Sequence, residues 1–503
     1  MRDIRSGSLG TLVAVLLLFT IQSFADSHVR IVRLSDVEGS VQVDRNTGQG
    51  FEKALLNLPM TQGVKLRTND DARAEVEFED GTTLRLGSNT VVHFDELSLA
   101  DSGVKNSVVT VAGGVVYVDY TGKSDNNFSL NFARQTTKLT ERTHLRLEMD
   151  AKEAALAVFS GQVHIQSGAN SNSAMLEDVF VHKNQTADFN LEKQGQYQLV
   201  KDIVPDVFDD WDQSQEKYHD RYAKAAYQNP LYSYGMSDLN YYGHYVNVPG
   251  YGLVWQPFLA GAGWDPYMNG AWAWYPGIGY MWVSAYPWGW MPFYYGSWNY
   301  LDSFGWFWNP SGTGQSWNPA PVIATGPPTF SLPRPPARPP VVRGGRSLFV
   351  VNRVPLPVMR SPNRIVLRND SAGLGIPRGS IHNWNKVNTQ VQREGFVTTR
   401  VHSTPMPVMM PPMNAGQPSF RPATGQPSFR PPSNGSSIST FHGTAGEHSF
   451  PSSAPARSSP MGGGSSSGAP MHSSMSGGSF GGGSNAGSSH SSPAPSGGST
   501  RSK

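Results

Sequence analysis

The chain of 503 residues contains no cysteine. This absence excludes disulfides, thiolate metal sites, cysteine nucleophiles and a lipid-modified cysteine anchor. Outside the cytoplasm, the stability of such a protein has to come from packing, which makes its aromatic content informative.

Long apolar runs are also scarce, and the one candidate extends from Leu12 to Ile21. Arg2 and Arg5 precede it, and Ser23-Phe24-Ala25 offers small residues at the cleavage positions, as in a secretory signal. The run is shorter than the about 20 residues that cross a membrane comfortably. We predict a signal peptide over residues 1–25, an exported protein that is periplasmic or extracellular, and no integral membrane span after cleavage. An uncleaved anchor is the alternative.

The net charge of +2 conceals two segments of opposite sign. Residues 26–310 carry −13, whereas residues 311–503 carry +14. The basic segment could fold back on the acidic body, or bind an anionic envelope polymer or nucleic acid, because screened Coulomb attraction drives all three. Nucleic acid is the least expected of these partners. Abundant Pro, Gly and Ser predict a disordered tail over residues 313–503, in which Pro333–Pro340 favour extended polyproline structure.

Strict alternation of apolar and polar residues indicates half-buried strands in the first part of the chain. The apolar positions are Ala72, Ala74, Val76 and Phe78, and the polar ones are Arg73, Glu75, Glu77 and Glu79. A three-residue loop, Glu79-Asp80-Gly81 with Gly81 left-handed, would set Val76 opposite Leu84. The alternating acidic side chains are expected to form a solvated face.

A second regularity is a glycine followed at plus two and plus four by β-branched residues. It occurs at Gly39, Gly114 and Gly161, and each copy predicts a strand entered through a turn. Short strands at this spacing predict a β-sandwich or a solenoid-like β-domain.

This part of the chain resembles the periplasmic domain of FecR-like proteins. The resemblance lies in Val37–Val43, Gly63–Thr68 and Phe78–Leu86 and covers roughly residues 30–165. It implies an all-β envelope module that, in the sensor members, passes a signal between an outer-membrane receptor and a sigma-factor regulator. We predict a FecR-like β-domain over residues 28–200. Few residues precede the apolar run, so no cytoplasmic regulatory domain is expected.

A helix is predicted over residues 205–229, between this domain and the next. Asp206 can cap it, Trp211 and Tyr218 recur at helical spacing, and Asn229-Pro230 ends it.

Ten tryptophans between Trp255 and Trp308 mark a second module, predicted over residues 230–312. Its positions recur in three units of about 27 residues. The recurring residues are Gly243, Tyr245, Gly252 and Trp255, then Gly270, Trp272, Gly279 and Trp282, then Gly296, Trp298, Gly305 and Trp308. Each unit predicts an aromatic β-hairpin that buries its recurrent rings against neighbours.

Aromatic residues outside the recurring positions need not be buried between hairpins, so they are candidates for an exposed ligand-binding platform. They are Trp264, Trp274, Tyr286, Trp288, Trp290 and Trp306. Their rings would stack on sugars or grip peptides, so the ligand would be a glycan, peptidoglycan or a protein. Through Val248–Gly252, Val254–Pro257 and Tyr286–Trp290, the module resembles a Trp-rich bacterial family of uncharacterised function that commonly follows a FecR-like domain.

The matches to catalytic motifs in this sequence are coincidental, and no metal-binding motif is found. Gly477–Gly481 satisfies G-x-S-x-G without the strand and helix that a nucleophile elbow needs. The histidines, including His93, His144, His164 and His182, lack the spacing of zinc ligands. We therefore predict no catalytic residues, no cofactor and no metal.

The fold predicted is thus all-β: a FecR-like β-domain, a short linking helix, a three-repeat aromatic hairpin module and a long disordered tail. The leading functional hypothesis is a non-catalytic exported scaffold that binds an envelope polymer or protein. The second is a ligand-sensing accessory of a FecR-type signalling system, acting with a separate transmembrane regulator. An envelope hydrolase is a third. Ligand, partner and oligomeric state stay open.

Overall fold

The computed structural model describes eight stretches of the chain, all within the unit formed by residues 1–417. They are residues 29–167, 179–193, 196–223, 233–311, 317–340, 349–351, 360–361 and 364–400. The predicted signal peptide lies outside the described residues. Strands dominate, so the predicted all-β class is confirmed. No described helix is long and apolar enough to cross a membrane.

The first domain consists of β-strands that enclose an apolar core. They are β1 (Val32–Glu38), β2 (Val41–Asp44), β3 (Glu52–Lys53), β4 (Pro59–Met60), β5 (Lys65–Thr68), β6 (Arg73–Glu77), β7 (Thr83–Leu86), β8 (Val91–Leu99), β9 (Lys105–Tyr120), β10 (Asn126–Phe132), β11 (Gln135–Leu139), β12 (Thr143–Met149), β13 (Glu153–Ser160), β14 (Gln162–Ser167), β15 (Val179–His182), β16 (Gln185–Asn190) and β17 (Tyr197–Val200).

These strands form two sheets that share β9. The first sheet has the order β3-β2-β5-β8-β9-β10-β11-β14-β15. The second has the order β4-β1-β6-β7-β9-β12-β13-β16-β17. Phe78 and Phe128, with ring centroids 5.2 Å apart, join the two sheets through the core.

The hairpin of β6 and β7 has the predicted register. Ala74 pairs with Leu86 and Val76 with Leu84, and Gly81 has a φ of 90°. The three-residue loop is therefore confirmed, and one face of the hairpin is continuously apolar.

Three glycines are followed at plus two and plus four by β-branched residues. Two of them precede strands as predicted, and the third does not. Gly39 and Gly161, both with positive φ, lead into β2 and β14. Gly114 lies inside β9, where the strand passes from one sheet to the other. A Cβ atom at Gly114 would lie 2.4 Å from Thr90 Cα, so the bend needs glycine.

In the described stretches, four helices accompany the strands: α1 (Asp209–Tyr222), α2 (Met236–Tyr242), α3 (Met291–Tyr294) and α4 (Trp384–Glu394). The predicted linking helix is α1, and residues 224–232 lie outside the description. The prediction that Asp206 caps it is wrong, because Phe208 holds that position. Asp206 instead accepts hydrogen bonds from the Phe208 N–H and the Tyr117 hydroxyl.

The aromatic module contains the three predicted hairpins. Their strands are β18 (Gly243–Val248), β19 (Gly252–Pro257), β20 (Gly270–Tyr275), β21 (Gly279–Ser284), β22 (Ser297–Leu301) and β23 (Gly305–Asn309). The recurrent rings face each other across each hairpin: Tyr245 pairs with Trp255, Trp272 with Trp282, and Trp298 with Trp308. Gly252, Gly279 and Gly305 begin the returning strands with positive φ.

The hairpins do not follow one another in a simple stack. The first joins the third through the pair Trp255 and Trp308, whereas the second pairs with β24 (Phe349–Val351). Chain order therefore does not give the order of the units in space.

The first glycine of each unit lies beneath the last of the recurring tryptophans of that unit. A Cβ atom at Gly243, Gly270 or Gly296 would lie 2.3 to 2.4 Å from an indole atom of Trp255, Trp282 or Trp308. The repeat therefore pairs a glycine with a tryptophan because the ring needs the space of the missing side chain.

Part of the predicted disordered tail is ordered, so that prediction is wrong for residues 317–340, which contact the module, and for residues 364–400, whereas residues 401–503 lie outside the described residues. The remaining strands are β25 (Arg360–Ser361), β26 (Arg364–Arg368) and β27 (Phe396–Arg400). Trp384 stacks on Phe258 of the module with ring centroids 5.7 Å apart. The Asn383 side chain caps α4 by accepting the Lys386 N–H, and a left-handed Gly395 ends it. The Pro, Gly and Ser content averaged over the whole tail does not reveal this short folded segment.

We expect Gly270→Ala to lower the free energy of unfolding by about 1–3 kcal/mol, because the methyl group overlaps Trp282 and the Val283 carbonyl. Chemical denaturation measures this effect. The matched control is Gly263→Ala, since no atom lies within 4 Å of a Cβ there. Equal unfolding midpoints for the two variants would contradict the account of the repeat.

Candidate functional site

The polar face of β6 is buried, contrary to the prediction of a solvated face. Arg73, Glu75 and Glu77 are exposed by 1%, 0% and 3%. Helix α1 and the segment before α4 supply charged groups that contact this face, and the Gly235 N–H just before α2 donates to Glu77. Alternation along one strand shows which side chains share a face, but not what covers that face.

The Glu75 carboxylate is the centre of this contact. It lies 2.9 Å from Arg85 Nε, 2.6 Å from Arg378 Nη1 and 3.0 Å from His219 Nε2. These partners come from β7, from the segment preceding α4 and from α1. One buried carboxylate thus joins three parts of the chain that are far apart in sequence.

Two further carboxylates extend the network. Asp238 of α2 lies 2.7 Å from Arg33 Nη2 and 3.0 Å from Arg378 Nε. Asp212 of α1 lies 2.6 Å from Arg85 Nη1 and 2.8 Å from His144 Nε2. We call the following residues the interface cluster: Arg33, Glu75, Glu77, Arg85, His144, Asp212, His219, Asp238 and Arg378.

The cluster determines how its members titrate. Burial alone would raise the pKa of Glu75, but His219, Arg378 and Arg85 outweigh it and hold this pKa well below its usual range. The pKa of Asp238 is also lowered, because Arg378 and Arg33 outweigh its burial. The ionised carboxylates therefore stabilise the fold above about pH 4, and this contribution is lost as the pH falls through their lowered values.

His144 titrates in the opposite sense. Burial alone would lower its pKa, but the pairing with Asp212, together with Asp119 and Glu216, raises it above the usual value. The other histidines named from the sequence lie elsewhere: His164 stacks on Phe180, His93 is on β8, and His182 is exposed.

Ser237, His219 and Glu75 resemble the hydrogen-bonded chain of a serine hydrolase. The Ser237 hydroxyl lies 3.2 Å from His219 Nδ1, and Glu75 contacts Nε2. In a hydrolase triad the serine faces Nε2 and the acid faces Nδ1. Ser237 is only 3% exposed, and two guanidinium groups already bind Glu75. This geometry suits a structural link between α1, α2 and β6.

No group of three His, Asp or Glu residues in the described stretches is placed to hold a metal ion.

Five of the six aromatic residues predicted to form an exposed platform are buried, so the prediction of exposure is wrong for them. Trp264, Tyr286, Trp288, Trp290 and Trp306 are exposed by at most 5%, and Trp274 is half-buried. Tyr286 stacks on Trp288 with centroids 5.0 Å apart, and Trp264 Nε1 donates to the Tyr286 hydroxyl. These rings fill the space between hairpins, which sequence spacing does not reveal.

The recurrent residues of the repeat are mostly buried as well. Trp255, Trp282, Trp298 and Trp308 are at most 1% exposed and Trp272 is 3% exposed, while Tyr245 is half-buried. Three of the indole N–H groups donate to backbone carbonyls, those of Leu239, Pro292 and Tyr295.

Backbone groups of the aromatic module are bound directly by the β-domain. Arg33 Nη2 donates to the Pro287 carbonyl at 2.7 Å, and Asn57 Nδ2 donates to the carbonyls of Ser284 and Tyr286. In the reverse direction, the Tyr275 hydroxyl donates to the Pro59 carbonyl. The two domains therefore share one set of buried hydrogen bonds.

An open groove of about 1330 Å³ crosses the outer face of the second sheet. Its floor follows a cross-strand row in which Val115, Glu148, Ala155, Asp188 and Gln198 lie side by side. The four carboxylates that line it are those of Glu148, Asp150, Glu153 and Asp188, and none of its lining residues is basic. Partial burial and the neighbouring Glu153 raise the pKa of Asp188. The groove is suited to a cationic partner.

The strand at one end of this groove, β17, has an edge that no described strand covers. Among the described residues β17 pairs only with β16, and Tyr197 and Leu199 are 38% and 41% exposed. The strand Tyr197–Val200 contains neither a charge nor a proline, the usual protections of an edge. Along this edge the backbone groups pair with no described residue, so an added strand could bind there.

Two family models match parts of the chain. The FecR protein family matches residues 64–164, and a family of unknown function, DUF6600, matches residues 236–330. The two resemblances predicted from the sequence, a FecR-like domain followed by a domain of unknown function, are thereby confirmed.

Two crystal structures of a candidate anti-sigma factor from Parabacteroides distasonis ATCC 8503, at 1.65 Å and 2.50 Å resolution, are each similar to this chain, with 16% identity and a TM-score of 0.23. Each match covers 27% of this chain and 59% of the anti-sigma factor chain. Among curated proteins, no sequence matches this chain.

We expect Arg378→Ala to destabilise the protein by about 3–5 kcal/mol, because it leaves Glu75 and Asp238 buried with too little positive charge. Chemical denaturation measures the loss. Arg393→Ala is the control: its partner Glu394 is on the surface, so we expect no measurable change. Similar small effects of both substitutions would show that Arg378 does not hold the cluster together.

The raised pKa of His144 predicts a pH-dependent contribution to stability. The protonated ring stabilises the fold fully below its unfolded value of about 6.5, and this contribution is lost as the pH rises through the raised folded value. The difference in unfolding free energy between wild type and His144→Gln should therefore be larger at about pH 5.5 than at about pH 9. His182→Gln, at an exposed position, is the control. A difference independent of pH would rule out this linkage.

Proposed function

We propose that this protein is a non-catalytic, exported interaction protein of the cell envelope. Its FecR-like domain binds an extended, positively charged segment of a partner protein along the acidic groove and the free edge of β17. The groove is the observation that carries this proposal, because it combines four carboxylates with a strand edge.

The partner's charge follows from the lining of the groove. Burial and the neighbouring Glu153 raise the pKa of Asp188 on the outer face of the sheet. Glu148 is paired with Arg146 at 2.6 Å, and burial, together with Asp206 and Asp209, still raises its pKa. A bound Lys or Arg side chain beside Asp188 and Glu153 would relieve their repulsion and lower the pKa of Asp188.

The partner's conformation follows from β17. An extended segment can add to the free edge by main-chain hydrogen bonds, while alternate side chains reach the groove beside it. A protein segment is favoured over a glycan, because the rings that would stack on sugars are buried.

A ligand-sensing role within a FecR-type signalling system is the second candidate. It is favoured by the FecR family match over residues 64–164. In this case the bound segment would belong to a separate transmembrane regulator.

A photo-crosslinking amino acid placed at Gln198 in the full chain tests the proposal in intact cell envelopes. We expect a discrete protein adduct that decreases several-fold in Asp188→Asn or Glu153→Gln and at raised ionic strength. The same amino acid at Ser102, in an exposed turn, should give no such adduct.

Glu192→Gln removes an exposed carboxylate that does not line the groove, and it should leave the adduct unchanged. Absence of a protein adduct at Gln198, or an equal adduct from Ser102, contradicts the proposal. An adduct with a membrane-spanning regulator would favour the second candidate.

A further inference from the structure

The inner face of the second sheet, which covers the core of the β-domain, ends in exposed apolar side chains. Residues that pair directly across antiparallel strands lie on the same face, so the strand register defines cross-strand rows. One inner row consists of Leu147, Leu156, Ala187 and Leu199. The first three are fully buried, whereas Leu199 on β17 is 41% exposed. The apolar row therefore continues beyond the covered part of the core.

A second inner row has the same form. Ala154, Phe189 and Tyr197 lie side by side on β13, β16 and β17. Ala154 and Phe189 are buried, whereas Tyr197 is 38% exposed, with its ring centroid 6.1 Å from that of Phe189. Both rows thus end on β17, along an edge that pairs with no described strand. A strand added at this edge would extend both rows by one residue.

The outer face of β17 has a different chemistry. Gln198 lies between the two apolar residues in sequence, so its side chain points to the opposite face. It pairs with Asp188 in the row that forms the floor of the acidic groove, and Glu153 lines the same groove. An added strand would therefore meet apolar groups on one face and carboxylates on the other.

We propose that the segment bound at β17 alternates apolar and basic residues. The proposal rests on the proposed function, because it concerns the same strand edge and the same groove. Two apolar residues of the added strand, two positions apart, lie opposite Tyr197 and Leu199 and extend the two inner rows. A polar residue at either position would leave the exposed apolar side chain beside it without an apolar partner.

The Lys or Arg between these two apolar residues lies opposite Gln198. Neighbouring strands are about 4.8 Å apart, so Asp188 is two strand spacings from the added strand. A long basic side chain can approach Asp188 by lying across Gln198 with its apolar stem against the sheet. The inner rows and the acidic groove together therefore select for alternation, and not for positive charge alone.

The probes for this selection are two end-labelled synthetic peptides of the same composition. Val-Lys-Val-Lys-Val-Lys alternates, and Val-Val-Val-Lys-Lys-Lys does not. Fluorescence polarisation with increasing concentrations of the full chain measures both affinities. We expect the alternating peptide to bind about tenfold more tightly, because only it can place valines on the inner face and a lysine between them on the outer face.

Substitutions in the full chain locate the binding of the alternating peptide. We expect its affinity to fall about tenfold in Leu199→Ser and several-fold in Asp188→Asn. The matched control is Leu253→Ser, because Leu253 is 38% exposed on β19 and does not line the groove. This control should leave the affinity unchanged. Unchanged unfolding midpoints establish that the variants are folded.

Three outcomes overturn the proposal. Equal binding of the two peptides, weakened by Asp188→Asn but not by Leu199→Ser, would show attraction by charge alone and would leave the proposed function in place. Preferred binding of the alternating peptide that Leu199→Ser does not weaken would place its site elsewhere. If neither peptide binds, the alternation is wrong, and the crosslink at Gln198 then separates the two proposals: a protein adduct supports the proposed function, and its absence contradicts that function as well.

Discussion

The burial of the charged face of β6 is the constraint on which the rest of the structure depends. A carboxylate removed from water is costly unless cations and hydrogen bonds surround it. Glu75 meets this condition only when β7, α1 and the segment before α4 are all in place, because each supplies one of its partners. Regions that the sequence presents as separate modules are therefore parts of one packed unit.

The aromatic module is held by the same interface. A single hairpin is marginal in water, and the three hairpins here bury their rings against one another and against the β-domain. Asn57 and Arg33 bind backbone carbonyls between Ser284 and Pro287, so the module is attached through its main chain as well as its rings. The glycine beneath the last recurring tryptophan of each unit allows the strands to approach closely enough for this packing.

This packing changes which surfaces remain for recognition. Tryptophans outside the recurring positions of the repeat would suit a sugar-binding platform, yet they pack in the interior between the hairpins. What remains exposed in the described stretches is of a different kind: an acidic groove beside a strand edge, and a proline-rich segment with an exposed arginine. The first surface attracts cations and the second presents one, so the two would select different partners.

The sequence by itself determined the local geometry and the two family resemblances. Period-two alternation set the register of Val76 against Leu84, and the 27-residue spacing located three hairpins with their facing rings. Both features depend on short-range backbone geometry, which neighbouring residues specify.

Only the tertiary structure decided what covers each face. Arg378 lies 303 residues from Glu75 in a segment whose composition suggested disorder, and no local pattern connects them. The same holds for His144, His219 and the buried platform rings, because burial depends on contacts between distant segments. A period in the sequence identifies the side chains that share a surface, but the partner of that surface is determined by long-range packing and the need to pair every buried charge.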